Sequence, residues 1–455
     1  MSQLLEINSW KKQLGLLPIN LFSSKIEDKF ILLNGGYGDF CIDLKPDNNI
    51  IDYYSFAWSS NTKNFVTLKN GKVKLYNWIK EKKEEYKTEL IQNNLPKFYN
   101  YLLKDSYKSE YDIVPYIIDI YRKLRNLTNE NKEGIRAINQ LFLIFAAYHD
   151  NKEINELDYA KWSISDIEKV SGIERYLEDL ICGITPNNVT LRPNLDLILR
   201  HTAGQLFQEA QKEAIFFNRN IDLFGFHDSK YDTKNINYSS FHYTPSFLAR
   251  SIVEYSLSKL DLETKNLKIL DPACGSSEFL LEVLKQLKSL DYTGSIDIHG
   301  WDSSESAINI SNFLLTYEKR NWNSKLNIKL KLVSNSLTKE WENDYDLILM
   351  NPPFLSWELM DKENREIVTN VLQENSRKKP NLASAFIFKG TNHLKENGII
   401  GTVIPSSILL PVLIPCLTSK ISSTVFKYPD ETLIFKSLIS FCSEYDITFQ
   451  LSPIG

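Results

Sequence analysis

The 455-residue sequence predicts an α/β protein: a doubly wound parallel sheet in the second half, preceded by a mostly helical region and a small β-containing start. Three observations predict it. From Leu267 onward, short apolar runs alternate with amphipathic segments, as in parallel strands covered by helices on both faces. Between Tyr76 and about Glu213, apolar residues recur at three- and four-residue spacing. Before residue 75, apolar and polar residues alternate around glycine-bearing turns. The expected divisions are 1–75 for the mixed start, 76–235 for a helical domain and 236–455 for the α/β domain.

The elements follow in order. Lys29 to Leu44 and Phe65 to Ile79 read as hairpins, the second turning at Asn70-Gly71. Ile79 to Gln92, Asp112 to Leu127, Ile135 to His149 and Arg200 to Phe216 read as helices. The polar stretch Asp228 to Ser240 reads as a linker. Beyond it, strands are expected at Leu267 to Leu270, Ile296 to Trp301, Ile328 to Val333, Tyr345 to Met350 and Gly398 to Ile404. Helices are expected between them at Ser277 to Leu290, Glu305 to Arg320 and Leu382 to Glu396, with a last strand in Ser437 to Leu451. This is a Rossmann-like order of elements.

Composition narrows the function classes. Hydrophobic residues make up 43% and charged residues 24%, ordinary for a globular chain. The 53 Lys+Arg and 57 Asp+Glu give a net charge of −4, which argues against a grip on nucleic acid made by charge alone. The five cysteines form no CxxC pair, and the six histidines show no HxxxH or HExxH spacing, so no metal site is expected. The N-terminus lacks a signal-peptide pattern, and the apolar runs are too short or too broken by proline to span a bilayer. A cytoplasmic location with no membrane partner is the expectation.

Three short motifs fall where this fold binds ligands, beyond the carboxyl ends of the strands. Asp271-Pro-Ala273-Cys-Gly275-Ser-Ser-Glu278 follows the first strand, and its small residues admit a ligand close to the backbone. A tight strand-to-helix turn would look similar. Asp302 ends the second strand, placed either to accept hydrogen bonds from ribose hydroxyls or to cap the next helix. Asn351-Pro352-Pro353-Phe354 follows the strand Tyr345 to Met350. Its two prolines remove two N–H donors and leave carbonyl oxygens and the Asn351 amide oxygen as acceptors. Two acceptors suit an exocyclic NH2 group, and Phe354 offers a ring for stacking. The plain alternative is a rigid polar turn.

Residues 241 to about 449 resemble the catalytic domain of N6-adenine DNA methyltransferases of the gamma arrangement, in which the cofactor motif precedes the catalytic one. Asp271 to Phe279 is similar to the family's S-adenosylmethionine motif, and Asn351 to Phe354 matches its NPPF tetrapeptide. Phe241 to Val253 resembles the upstream YTP motif. The chain also resembles Type I modification subunits and Type IIG restriction-modification enzymes, which carry a helical N-terminal part. The resemblance implies that Tyr243, Thr244 and Pro245 touch the methionine end of S-adenosylmethionine, that Asp271, Ala273 and Gly275 shape its pocket, and that Asp302 holds the ribose. It places Asn335 near the cofactor's adenine. It gives Asn351, Pro352, Pro353 and Phe354 the task of binding and activating an adenine flipped out of double-stranded DNA. Two positions depart from the pattern. Ser277 stands where glycine is usual, which raises the expectation of a different loop path, and Asn335 stands where an acid is common.

Other signals carry less. Glu85-Tyr86-Lys87 fits the ExK fragment of a nuclease but reads as part of a charged, solvated helix. Asn34 to Gly38 reads as a hairpin turn. Arg377-Lys378-Lys379 reads as a solvated loop that could meet DNA phosphates. Since the sequence ends at Gly455, target choice is expected from a specificity subunit or a further domain. Methylation of RNA adenine or protein glutamine, and a catalytically weak scaffold role in a defence complex, are the competing readings.

Overall fold

The computed structural model describes residues 6–21, 28–34, 37–46, 52–104, 108–164, 168–186, 188–217, 230–234, 244–322, 325–376 and 379–404, and the strands at 424–426, 434–436, 439–441 and 445–451. The chain divides into two compact units, Met1–Ala210 with Ala214–Thr233, and Gln211–Glu213 with Lys234–Gly455.

The first unit opens with α1 (Ile7–Leu14) and a six-stranded sheet: β1 (Leu17–Asn20), β2 (Lys29–Asn34), β3 (Tyr37–Asp43), β4 (Asn64–Lys69), β5 (Lys72–Asn77) and β6 (Lys82–Lys87). The strands lie side by side in chain order, antiparallel except where α2 (Tyr53–Ser59) carries the chain from β3 to its parallel neighbour β4. Both expected hairpins form. Asn34 faces Tyr37 across the first, and Gly35 and Gly36 lie outside the described residues. In the second, Lys69 faces Lys72, and Asn70 and Gly71 take φ of 52° and 74°, the two left-handed positions of a type I′ turn. Trp10, Leu32, Phe40, Val66, Val73 and Phe98 fill the core on one face.

The expected helix over Ile79 to Gln92 is not formed. Lys82–Lys87 is strand β6, and a short helix α3 (Thr88–Asn93) follows it. The run KKEEYK consists of good helix formers, but tertiary context overrides that preference. Glu84 and Tyr86 point one way, where Tyr86 meets Phe98 edge-on at 6.1 Å and the Glu84 carboxylate accepts from Tyr86 and Tyr101. Glu85 points the other way and pairs with Lys72 on β5 at 2.5 Å. The ExK match therefore lies on a strand rather than a helix, with its glutamate engaged in a solvated cross-strand ladder.

Helices α4 (Leu95–Leu103), α5 (Ile113–Thr128), α6 (Ile135–Asp150), α7 (Ile173–Cys182) and α8 (Leu195–Ala210) complete this part. α6 is buried along almost its whole length, from Ala137 to Ala147. Arg125 on α5 is fully buried, and its guanidinium is satisfied by the carbonyls of Glu130, Asn131 and Glu209 at 3.1–3.3 Å. The last expected helix begins and ends earlier than the sequence suggested. It stops at Ala210, and Glu213–Phe217 is a strand, β7, paired with β8 (Lys230–Lys234) inside the expected linker. Each strand supplies the backbone partners that the other needs.

The second unit alternates as expected: α9 (Ser246–Lys259), β9 (Asn266–Asp271), α10 (Glu278–Ser289), β10 (Ser295–Asp302), α11 (Glu305–Lys319), β11 (Leu326–Leu332), β12 (Tyr345–Met350), α12 (Lys362–Leu372), α13 (Leu382–Thr391) and β13 (Leu394–Ile404). The short strands β14 (Thr424–Phe426), β15 (Ile434–Lys436), β16 (Ile439–Phe441) and β17 (Tyr445–Leu451) follow. The main sheet runs β11-β10-β9-β12-β13-β17-β16, with all neighbours parallel except β16 and β17, which form a hairpin where a single last strand was expected. Side chains alternate across the sheet. Leu270, Ile348, Met350 and Ile400 join α12 and α13 in one core. On the other face Gly300 lies against Leu280 of α10, and Gly401 lies between Leu349 and Ile252 of α9. α12 falls in what the sequence presents as a long loop, and α13 gives way to strand three residues after Thr391.

Candidate active site

Strand order creates the site. The chain lays β9, β10 and β11 outward in one direction, then returns to place β12 on the free side of β9. Connections leaving β9 and β12 diverge to opposite sides, so a crevice opens at their carboxyl ends. Register puts the expected residues along that rim. Ile348 pairs with Leu270 and Gly300 pairs with Asp271. Asp271 therefore ends β9 next to the end of β12, with Asn351 just beyond Met350. Asp302 ends β10 on the other side and pairs with Leu332 at the end of β11, after which comes Asn335. Asn335, Asp302, Asp271 and Asn351 thus follow four adjacent strands, with neighbouring strands about 4.8 Å apart.

The turn after β9 is held from below. The Asp271 carboxylate is buried and accepts from the Ala273 N–H at 3.1 Å. Burial pushes this carboxyl well above the usual carboxylate range, the nearby Asp302 charge adds to the rise, and the Ala273 N–H pulls the other way. The Cys274 N–H donates to the Trp301 carbonyl at 2.9 Å, and the Gly275 N–H donates to Asp302 Oδ2 at 2.8 Å. Ser311 of α11 donates to the Gly275 carbonyl at 2.8 Å, and Ser336 donates to the Pro272 carbonyl at 2.6 Å. Burial likewise raises the Cys274 thiol well above its usual range. The amides of Ala273, Cys274, Gly275 and Ser277 are engaged internally, and the loop presents the half-exposed surface of Ala273 and Gly275.

Ser277 adopts φ 61° and ψ 30°, and Gly275 adopts φ 51°. Serine therefore occupies the left-handed conformation that glycine favours rather than diverting the loop from it. The cost to a residue with a Cβ is about 1–2 kcal/mol. Its side chain makes no capping bond to α10.

Asp302 does two structural jobs. Its Oδ2 takes the Gly275 N–H, and its Oδ1 takes the Ser304 N–H at 2.9 Å. The cap of α11 is Ser304, whose hydroxyl accepts from Ala307. The plain reading of Asp302 as that helix's N-cap is thus corrected by two positions. Asn335 braces the turn after β11: its Oδ1 accepts from Leu337 at 2.9 Å, and its carbonyl accepts from Thr338 and Lys339.

At the β12 end, Pro352 is buried, and Asn351, Pro353 and Phe354 are half-buried. Phe354 packs against a core that holds Met350, Met360 and Leu382, with Leu355 and Trp357 beside it. Asn351 Nδ2 donates to Thr244 Oγ1 at 3.0 Å. Thr244 and Pro245 stand immediately before α9, while Tyr243 lies outside the described residues. The sequence did not point to this bond, nor to Ser311 and Ser336. Serines and threonines have too many uses for their type alone to signal such roles.

The remaining expectations fall elsewhere. His299 is buried in β10, with Nδ1 2.8 Å from the Tyr345 hydroxyl and Nε2 3.3 Å from Asp297, a satisfied core histidine. Arg377 and Lys378 lie outside the described residues, and Lys379 pairs with Glu358 at 3.0 Å. Among the described residues, no cluster of three or more His, Cys, Asp or Glu could hold a metal, and no helix is long and apolar enough to cross a membrane.

Residues 229–411 match the family model described as N-6 DNA Methylase. A Type II methyltransferase, M.AccI, of Acinetobacter calcoaceticus is 28% identical over 160 residues, 34% of this chain and 27% of that protein. Another, M.BanIII, of Aneurinibacillus aneurinilyticus is 27% identical over 183 residues, 37% of this chain and 30% of that protein. The matches thus span less than a third of either relative. The structure of a type I restriction-modification methyltransferase subunit from Streptococcus thermophilus aligns with 70% of this chain and 61% of its own, at 15% identity and a TM-score of 0.36. The fold assignment rests on the strand order itself. The match of segment 229–411 to the N-6 DNA Methylase model agrees with the kinship that its motifs implied.

Proposed function

We propose that the chain transfers a methyl group from S-adenosylmethionine to the N6 amine of an adenine in double-stranded DNA, with the methyltransferase domain at 236–455. The observation that carries this reading is the order of residues along one rim: Asn335, Asp302 and Asp271 on one side of the strand-order reversal and Asn351 on the other. The residues fit the cofactor. Asp302 ends β10 at the rim, where a carboxylate suits ribose hydroxyls, and Ala273 and Gly275 present a small-residue surface that a ligand can approach closely. Pro245 stands at the start of α9 and suits the methionine end, while the hydroxyl of the preceding Thr244 is engaged by Asn351. When bound, S-adenosylmethionine supplies an electrophilic methyl group.

The chain's own residues do the rest. Asn351 Oδ1 and the Pro352 carbonyl accept the two hydrogens of the amine, which turns the nitrogen lone pair toward the crevice. Two adjacent prolines leave no N–H there to compete for those acceptors. Phe354, braced by the Met350 and Leu382 core, stacks on the purine once it has left the helix. Asp271 sits under the loop, where burial raises its carboxyl above the usual range. Holding nitrogen and methyl carbon in line supplies most of the acceleration, because no covalent enzyme intermediate is required. Target choice falls to a specificity subunit or a further domain, and helices α4 to α8 are available to hold it or the DNA.

The test incubates the full chain with methyl-labelled S-adenosylmethionine and a mixture of unmethylated double-stranded genomic DNA, RNA and protein, with Asn351→Ala as control. Label in DNA as N6-methyladenine, lost in Asn351→Ala, is expected. Equal label in both samples refutes the assignment of Asn351. Label in RNA adenine or protein glutamine moves the substrate to those classes. Cofactor binding without transfer favours the scaffold role.

A further inference from the structure

The substrate-facing amide at the β12 end has a problem of its own. The terminal torsion of asparagine has a broad energy profile, so the side chain alone does not fix the plane of its amide. The backbone beyond it gives no help, because Pro352 and Pro353 have no N–H with which to tie the turn down. An acceptor that swings by an ångström loses the alignment on which the transfer depends.

A contact across the crevice bears directly on that problem. Asn351 Nδ2 donates to Thr244 Oγ1 at 3.0 Å, from 107 residues away in the chain. Thr244 is itself firmly placed. It is buried, 8% exposed. It precedes a proline, which restricts it to extended backbone. Pro245 has φ −59° and caps α9, where its carbonyl accepts from Leu248 and Ala249 at 3.0 and 3.1 Å. α9 in turn packs on β13 through Ile252 and Gly401, next to the strand that carries Asn351. The hydroxyl is therefore a fixed post, and a sheltered hydrogen bond to it is stronger than one in water.

We propose that Thr244 is the positioning residue for Asn351: its hydroxyl pins the amide at the target-base end of the crevice, so that the amide oxygen meets the adenine amine. This rests on the adenine methyltransferase reading given above and assigns Thr244 a task other than contact with the cofactor. A hydroxyl can serve either end of an amide. Thr244 therefore fixes the place and plane of the group. The amine, which brings two hydrogens, selects the end that can accept them.

The experiment measures kcat and the KM for S-adenosylmethionine on unmethylated genomic DNA, for the full chain and for Thr244→Val, Thr244→Ser and Asn351→Ala. Thr244→Val keeps the shape and removes the hydroxyl. It is expected to lower kcat by about 10- to 100-fold while leaving the cofactor KM within about threefold. Thr244→Ser, which keeps the hydroxyl, restores most of that loss. A kcat equal to the wild type in Thr244→Val overturns the proposal. So does a raised cofactor KM with kcat intact, which makes Thr244 a cofactor contact instead. Absence of transfer by the wild type overturns the methyltransferase reading and this proposal with it, whereas an active wild type with an indifferent Thr244→Val sinks this proposal alone. Should Thr244→Val fail to fold by circular dichroism, Thr244→Ala takes its place under the same criteria.

Discussion

The two sheets of this protein differ in the order in which their strands are laid, and that difference separates structure from chemistry. In the first, β1 to β6 sit beside one another in chain order. No reversal occurs, and no crevice opens at a strand-order switch. Its polar residues are spent on one another: Asn77 donates to Asn64 at 2.8 Å, Lys63 pairs with Asp112, and Glu84 takes the hydroxyls of Tyr86 and Tyr101. In the second, the order reverses between β9 and β12, and polar residues gather at the carboxyl ends on both sides of the break. There the loops are braced by buried serines, and Asp302 stands at the rim.

The comparison can be broken in four ways, taken from the largest effect to the smallest. Asn351→Ala should remove methyl transfer by about 100-fold or more, since an interaction made only at the reacting group is lost. Matched alanine substitution of Asn77 in the first sheet should leave the specific activity of folded protein unchanged. A radiolabel assay on both variants checks the pair.

Gly300→Val should destabilise the second unit by about 1–3 kcal/mol. A Cβ there would lie 2.5 Å from Leu330 Cδ2 and 3.0 Å from Leu280 Cδ1, with Cys274 Sγ at 3.3 Å. Urea unfolding monitored by fluorescence measures it.

Two left-handed positions give opposite signs. Gly71, in the first sheet's type I′ turn, has φ 74° and open space around it. Gly71→Ala should cost about 1 kcal/mol from backbone strain alone. Ser277 has φ 61° and no capping bond, so Ser277→Gly should stabilise by up to about 1 kcal/mol. Thermal melts of the two variants should move apart by a few degrees, and movement in the same direction would contradict the conformational argument.

Asp271→Asn should change the pH dependence of stability. The folded-state carboxyl is held above its ordinary value, so the folded protein binds a proton that the unfolded chain releases. Stability from this group is full below the ordinary carboxylate value of about 3.9 and is lost as pH rises through the raised folded value. Asn keeps the acceptor for Ala273 and never ionises. The wild type should therefore lose melting temperature relative to Asp271→Asn as pH increases, and parallel curves for the two proteins would remove the argument.

Much of the second sheet was legible in the sequence. Buried parallel strands such as Tyr345 to Met350 are continuous apolar runs with sharp ends, and the residues that follow them, Asp271, Asp302 and Asn351, are chemically distinctive. The first sheet was half legible. Asn70-Gly71 announces its turn, whereas Lys82 to Lys87 is written in helix-forming residues and becomes a strand only because β5 and the Phe98 and Tyr101 side chains provide partners. α12 was missed because its apolar stripe is short, with only Val368 and Leu372 buried. At the candidate site, the placement of the distinctive residues at the strand ends was legible and their bracing was not. Ser277 reads as a departure from glycine, yet its backbone takes glycine's conformation. Thr244, Ser311 and Ser336 reveal their roles only through contacts that arise in three dimensions.

The central claim is that one ligand pocket spans the ends of β11, β10, β9 and β12. Hydrogen exchange with and without S-adenosylhomocysteine tests it most directly. The account predicts that segments 271–279, 302–304, 335–338 and 351–355 gain protection together while β1 to β6 stay unchanged. Protection that includes the turn after β9 but leaves the segment after β12 untouched, or that appears in the first sheet instead, would contradict it.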